Sequence, residues 1–346
     1  MHSPVKNLIK WLSVFNLKFS IIFGMDGKSK YFLLFGALLV IALAVTLSTK
    51  SPSGSETAFP ESEKLVVGAQ NNLGLSLFFI AREKGFFREQ GLDVETAMFS
   101  AGPEINEAML GDRVDVGLMG DMPVITIASK IPVKVFSTVV TGRYRRRIMV
   151  PMDSDVRNIT DLNGKKMGLK KGGAMYTNWL LIEKYYGVKA SQIVDVDNPN
   201  QPDALRTKQI DAIFTKEPVS STIEMNRWGR WVPVEQVPGL SDPLVAIAKE
   251  STLKKRPEAI RKFIRALKKA ESFVKDNPDE SAQVMSNIIS LPLNVTKRVM
   301  QFDNYTTATT QEVYQDFDLV AGSMIEDGII TKKPENLFDM SYYDSA

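Results

Sequence analysis

Cysteine is absent from all 346 residues, and the single histidine is His2. Without them the chain has no disulfide, no thiol nucleophile, no imidazole base beyond its second residue and no ordinary zinc ligand set. A Ser-His-Asp arrangement is excluded on the same ground, as is a lipid anchor carried on cysteine. Lysine, tyrosine and carboxylate chemistry remain, so an enzyme is disfavoured but not excluded by composition. No G-x-G-x-x-G follows the first predicted strand and no G-x-x-x-x-G-K-[ST] occurs, which removes the usual dinucleotide and phosphate loops.

One long apolar run is present, Tyr31–Leu47 (YFLLFGALLVIALAVTL), preceded by Lys28 and Lys30. A basic stretch before such a run reads as an export signal, and its length also suits an uncleaved anchor. Ala42-Leu43-Ala44 and Thr46-Leu47-Ser48 both fit small-x-small cleavage sites. Residues 1–24 are unlike the start of an export signal, and Met25 makes the more ordinary start. Residues 1–47 are therefore expected to be a leader and 48–62, rich in Ser, Pro and Gly, a flexible tether spanning roughly 20–25 Å. Residues 1–48 hold five of the 43 basic residues and one of the 40 acidic ones, leaving 38 against 39. That balance gives no basis for nucleic-acid binding.

From Lys64 onward short β-branched runs alternate with helical patterns, which predicts α/β units on parallel sheets. Strands are expected at 64–70, 93–98, 114–119 and 133–140, with helices at 75–84, 103–110 and 122–129. A second series places strands at 165–169, 193–196 and 212–215 and helices at 175–186, 202–207 and 218–228. Arg146–Met152 and Leu244–Lys249 read as extended segments crossing between the two series. Pro257–Lys275 carries Ile260, Phe263, Ile264, Leu267, Ala270, Phe273 and Val274 at helical spacing. Helices are also expected at 279–289 and 311–325.

In open α/β sheets ligands bind outside the carboxyl ends of the strands. That rule nominates Asn71 and Asn72, Gly120 and Asp121, Thr141, the segment Gly172, Gly173, Ala174, Met175 and Tyr176, Asn198, and Glu217. In the Gly172–Tyr176 segment two glycines admit a close backbone approach, and the following helix turns its free N–H groups to the same place, which suits an anion. Arg143-Tyr144-Arg145-Arg146-Arg147 lies beside the predicted cleft, where Arg143 or Arg145 would clamp an oxyanion. Strand alternation would put Arg143, Arg145 and Arg147 on one side and Arg146 on the other. Internal salt bridges are the alternative use of this run. Phe78 has core spacing, and Trp179 is a candidate fluorescence reporter of binding. Tyr185-Tyr186 reads as a helix end in preference to a ferric ligand pair.

Five segments in order resemble one family, the nitrate/sulfonate/taurine/thiamine-precursor type of ABC solute-binding protein. They are GFFREQGLDVE (85–95), GDRVDVGLMGDMP (111–123), ITDLNGKKMGLKKGG (159–173), QIDAIFTKEP (209–218) and RPEAIRKFIRALKKAESFVKDNP (256–278). The chain departs from the pattern at Lys208-Gln209, where a Gly is usual, at Ser129-Lys130-Ile131-Pro132, and in AMYTNW after Gly173. The resemblance implies a type II periplasmic-binding fold: two α/β lobes, each a sheet flanked by helices, joined by two crossing strands. Lobe 1 would comprise residues 63–150 plus 243–346, and lobe 2 residues 151–242.

The implied function is capture of a small anionic solute in the interlobe cleft, for delivery to an ABC permease with its ATPase outside the cytoplasm. A monomer with no metal, no cofactor and no nucleic-acid partner is expected. A thiamine-precursor pyrimidine stacked on Tyr144 or Tyr176 is the alternative ligand, and a ligand sensor the alternative role. Glu217 matches the family's Glu-Pro and either holds a cationic group of the ligand or pairs with an arginine. Pyrimidine synthases and deaminases that share the fold depend on His or Cys, which this chain lacks beyond His2.

Overall fold

Period-two burial along single strands builds the architecture. A computed structural model describes residues 63–142, 145–171, 174–234, 237 and 240–346. The expected leader and tether, Arg143, Tyr144, Gly172 and Gly173 lie outside the described residues. In β1 (Glu63–Gln70), Leu65, Val67 and Ala69 are fully buried against one layer of helices. The opposite face of β1 meets a second layer, so helices cover both sides of the sheet.

The first sheet has the order β2-β1-β3-β10-β4. Its members are β1, β2 (Leu92–Phe99), β3 (Val116–Gly120), β4 (Val133–Val140) and β10 (Leu244–Lys249). One helical layer contains α1 (Ser76–Glu83), α2 (Phe86–Glu89) and α9 (Pro257–Asp276). The other contains α3 (Gly102–Leu110), α4 (Asp121–Ala128) and α12 (Gln311–Glu326). In β10, Ala246 and Ala248 face the first layer, while Val245 and Ile247 face the second. Burying each of the latter two side chains is worth about 1.5–3 kcal/mol.

Proline at the first turn opens α9, where its missing N–H costs nothing. Phe263 from its buried stripe stacks on Phe87 at 5.1 Å and meets Phe136 edge-on at 6.1 Å. The basic face of α9 is spent on the chain itself. Arg265 pairs with Glu258 and Lys269 with Glu89, while Lys268 donates to the carbonyls of Tyr343 and Ala346.

The second sheet has the order β7-β6-β8-β5-β9. It contains β5 (Arg146–Pro151), β6 (Lys166–Leu169), β7 (Gln192–Asp195), β8 (Ala212–Lys216) and β9 (Gly229–Val232). Ile148 and Val150 of β5 face a core shared with α5 (Ala174–Tyr186). Met149 faces the core of α6 (Gln201–Arg206) and α7 (Val219–Met225). The two lobes joined by crossing strands are therefore present.

The sheets are mixed, not purely parallel as the alternation of elements predicts. β5 runs antiparallel to β8, and β10 antiparallel to β3 and β4. The reason is geometric. Arg146 begins β5 opposite Lys216, the last residue of β8. Leu244 begins β10 opposite Gly120 and Val140, the last residues of β3 and β4. A strand arriving from the other lobe enters each sheet at its carboxyl edge and must run against its neighbours. The helix expected at 279–289 is α10 (Pro278–Ile289), whereas five short strands or α-helices have no counterpart in the sequence pattern: β9, α2, α8 (Glu250–Lys255), α11 (Leu293–Met300) and α13 (Ser341–Asp344).

Candidate functional site

The carboxyl edges of both sheets and both crossings converge on one cluster of charges. Asp121 follows β3 as the first residue of α4 and is 4% exposed. Its carboxylate accepts the Met122 N–H at 2.7 Å. Burial, only partly opposed by the Arg146 charge, pushes its pKa up to about 6.

After β1, Asn71 is exposed, whereas Asn72 Oδ1 accepts from the Gly74 N–H at 2.8 Å and from Arg145 Nη2 at 3.0 Å. Thr141, just beyond β4, exchanges backbone hydrogen bonds with Asn304 at 2.9 and 2.7 Å. The Asn304 amide also donates to the Thr141 hydroxyl at 3.2 Å.

Arg145 lies in the first crossing and is 7% exposed. Its Nε stands 3.2 Å from Asp303 and 3.9 Å from Asp242. Burial opposes the Arg145 charge, but Asp303 and Asp242 outweigh it and the pKa is raised. Space for the guanidinium depends on two glycines. A Cβ at position 74 would meet Nη2 at 2.4 Å, and one at position 142 would meet Arg145 Cδ at 2.5 Å.

Asp303, which follows α11, is held up at about 6 by burial despite Arg145 and a 2.8 Å hydrogen bond from the Tyr305 hydroxyl. Burial also pushes the Tyr305 phenol well above its ordinary value, with Asp303 adding to the effect. Arg146 pairs with Asp242. Burial would raise the Asp242 carboxyl, but Arg146 and Arg145 hold it below its ordinary value. Arg147 is fully buried, 2.5 Å from Glu217 and 3.4 Å from Glu224, with its guanidinium 3.7 Å above the Phe302 ring. Burial lowers the Arg147 pKa.

Strand alternation separates Arg146 from Arg147, whose carboxylate partners differ, but it does not carry Arg145 to the side of Arg147. Arg145 precedes β5, in a bend, and it reaches Asp242 just as Arg146 does. Of the two uses left open for Glu217, the one present in the structure is the pairing with an arginine.

Lys216 differs from these groups. Among the described residues no hydrogen bond or ion pair engages its ammonium. It is exposed by accessible surface, yet desolvation lowers its pKa, and Arg146 and Arg145 lower it further against the opposing pull of Asp242. Both hold where neighbouring groups displace bulk water from around the ammonium without covering it.

None of the other nominated residues that are described shares a hydrogen bond or ion pair with this cluster. Met175 is 7% exposed within the core of the second lobe, and Tyr176 packs against the same core. Ala174 begins α5. Asn198 opens a short turn, with its Oδ1 buried and without a hydrogen-bond partner among the described residues. Lys170, near the expected anion loop, is taken up by Asp197 at 2.9 Å. Trp179 is fully buried and donates to Glu183 at 2.9 Å, so it does not line a cleft. Phe78 is core, as its spacing indicates. Asp242, Asp303 and Tyr305 lie outside the segments that the strand-edge rule nominates. For Asp242 the signal is an acid two residues before β10, with an arginine run at the first crossing for it to pair with.

Among the described residues no group of three His, Cys, Asp or Glu is arranged to hold a metal, and no helix is long and apolar enough to cross a membrane.

The sequence model of the NMT1/THI5-like family matches residues 72–281, more than half of the chain. The chain belongs to the NMT1/THI5-like family. Within it, a Bacillus subtilis protein named for binding aliphatic sulfonates is 24% identical over 77% of this chain and 82% of its own. A Saccharomyces cerevisiae protein named as a 4-amino-5-hydroxymethyl-2-methylpyrimidine phosphate synthase is 26% identical over 58% of this chain and 63% of its own. The crystal structure of the periplasmic aliphatic sulphonate binding protein SsuA from Escherichia coli superposes with a TM-score of 0.70. It is 20% identical, and the match covers 81% of this chain and 99% of that one. This NMT1/THI5-like chain thus has the two-lobed periplasmic-binding fold.

Proposed function

We propose that this protein is the extracytoplasmic substrate-binding component of an ABC importer. It captures a small anionic solute of the sulfonate class between its lobes and hands it, chemically unchanged, to a membrane permease with its ATPase. The observation that carries the reading is the convergence of Gly120-Asp121, Lys216 and both crossings on one charged cluster, at the edges where α/β sheets bind ligands. The sulfonate-binding relatives support it. The synthase relative does not shift it, because this chain offers neither thiol nor imidazole beyond His2.

On this reading residues 63–145 with 243–346 close on 146–242, the lobe to which β5 belongs, as a monomer, and residues 1–47 direct export or anchor the chain. The test is mass spectrometry of ligand co-purified with the protein, followed by calorimetry with taurine, alkanesulfonates, nitrate and hydroxymethylpyrimidine. Recovery of an unaltered sulfonate agrees with the reading. Turnover of the captured compound, or tight binding of neutral pyrimidine alone, defeats it.

A further inference from the structure

We propose that Lys216, and not the Arg145–Arg147 run, supplies the positive charge that holds the solute's anionic head group. The inference rests on the binding-protein reading above and names the residue that selects the ligand class.

The three arginines already have carboxylate partners from this chain. Arg145 faces Asp303 and Asp242, Arg146 faces Asp242, and Arg147 faces Glu217 and Glu224. These arginines are also shut away from solvent, with side-chain exposures of 8%, 8% and 0%. A ligand that drew one of them away would leave a buried acid without its counter-charge, which is costly. Arg145, Arg146 and Arg147 brace the crossing, and their partners on this chain account for them without a ligand.

Lys216 is placed otherwise. It is the last residue of β8, opposite Arg146, so its Cα stands at the carboxyl edge beside the first crossing. The acid acting on it is Asp242, at the start of the second crossing, which is already committed to Arg146 and Arg145. The side chain is exposed, and no described hydrogen bond or ion pair takes up its three donors. Partial desolvation among positive neighbours makes the ammonium costly as it stands. An arriving anion relieves that cost, so attraction at this point exceeds that at a free surface lysine. An ammonium is a compact charge with three rotatable donors, which fits the three oxygens of a sulfonate head group and gives a neutral heteroaromatic ring little.

The experiment compares the full chain with Lys216→Gln, Lys216→Arg and Lys130→Gln by calorimetry with taurine and ethanesulfonate. Lys130 is an exposed lysine at the far end of α4 and serves as the charge-loss control. Lys216→Gln is expected to weaken binding about 10- to 100-fold, the range of one hydrogen bond to a charged group. Lys216→Arg should recover most of the affinity, and Lys130→Gln should leave it unchanged. In a reductively methylated sample, the Lys216 resonance should titrate at higher pH once sulfonate is bound. If the wild type binds sulfonate and Lys216→Gln binds within threefold of it, the role of Lys216 is overturned while the importer reading stands. If the wild type binds no sulfonate or other small oxyanion, both fall together.

Discussion

Arg145 Nε and Asp303 Oδ1 lie 3.2 Å apart in the interior, one from the first crossing and the other from the segment after α11. The pair ties the crossing to the helical part of the first lobe, and Tyr305 secures its acidic member from the far side. Arg145→Ala is expected to destabilise the protein by about 3–5 kcal/mol at pH 7.5, the usual cost of leaving a buried charge unpaired. The loss should shrink at pH 5, because Asp303, already at about 6 and raised further without Arg145, then takes up a proton. Urea unfolding at the two pH values measures this. An equal loss at both would show that Asp303 is not the group left exposed to the change.

Asp121 carries the opposite sign to an ordinary paired carboxylate. Its folded pKa of about 6 lies above its usual 3.8, so its contribution is fully present below 3.8 and is lost as pH rises through 6. Asp121→Asn has no such loss. The variant should match the wild type near pH 4 and exceed it by on the order of 2 kcal/mol at pH 8. The groups that act on Asp121 are Arg146, Asp242 and Asp316. Thermal unfolding across pH 4–8 reads the difference directly, and a variant less stable at pH 8 contradicts the assignment.

Gly74 is the floor on which the Arg145 guanidinium rests. In Gly74→Ala the new Cβ would stand 2.4 Å from Nη2, and the guanidinium, pinned by Asn72, Asp303 and Asp242, can move only by loosening those contacts. A loss of about 1–3 kcal/mol is expected, as for overpacking elsewhere. A double-mutant cycle with Arg145→Ala should show strong coupling, since the clash disappears with the arginine. Additive losses would exclude the mechanism.

Phe263 joins α9 to β4 through the ring of Phe136 and to α1 and α2 through those of Phe78 and Phe87. Phe263→Ala should cost about 3–5 kcal/mol. Denaturant midpoints with an unchanged slope would confirm a packing loss, and a cost below 1 kcal/mol would mean that the cluster closes over the cavity.

The sequence by itself determined whatever depends on neighbours along the chain. The alternation of Leu65, Val67 and Ala69 marks a strand with buried faces, and the stripe from Ile260 to Val274 marks α9, because burial repeats with the period of the local structure. The alternating elements also led to the carboxyl edges, where Gly120, Asp121 and Lys216 are found. Only the tertiary structure decided the direction of β5 and β10, since each crosses to a sheet whose orientation its own residues do not encode. It also decided what the arginines do. From the sequence Arg145–Arg147 is a dense positive run open to a ligand. In the fold it meets Asp242 and Asp303, brought from remote parts of the chain, while the ammonium of Lys216 has no hydrogen bond or ion pair among the described residues. Periodicity is local, whereas charge compensation depends on distances through space, and those are set when the lobes assemble.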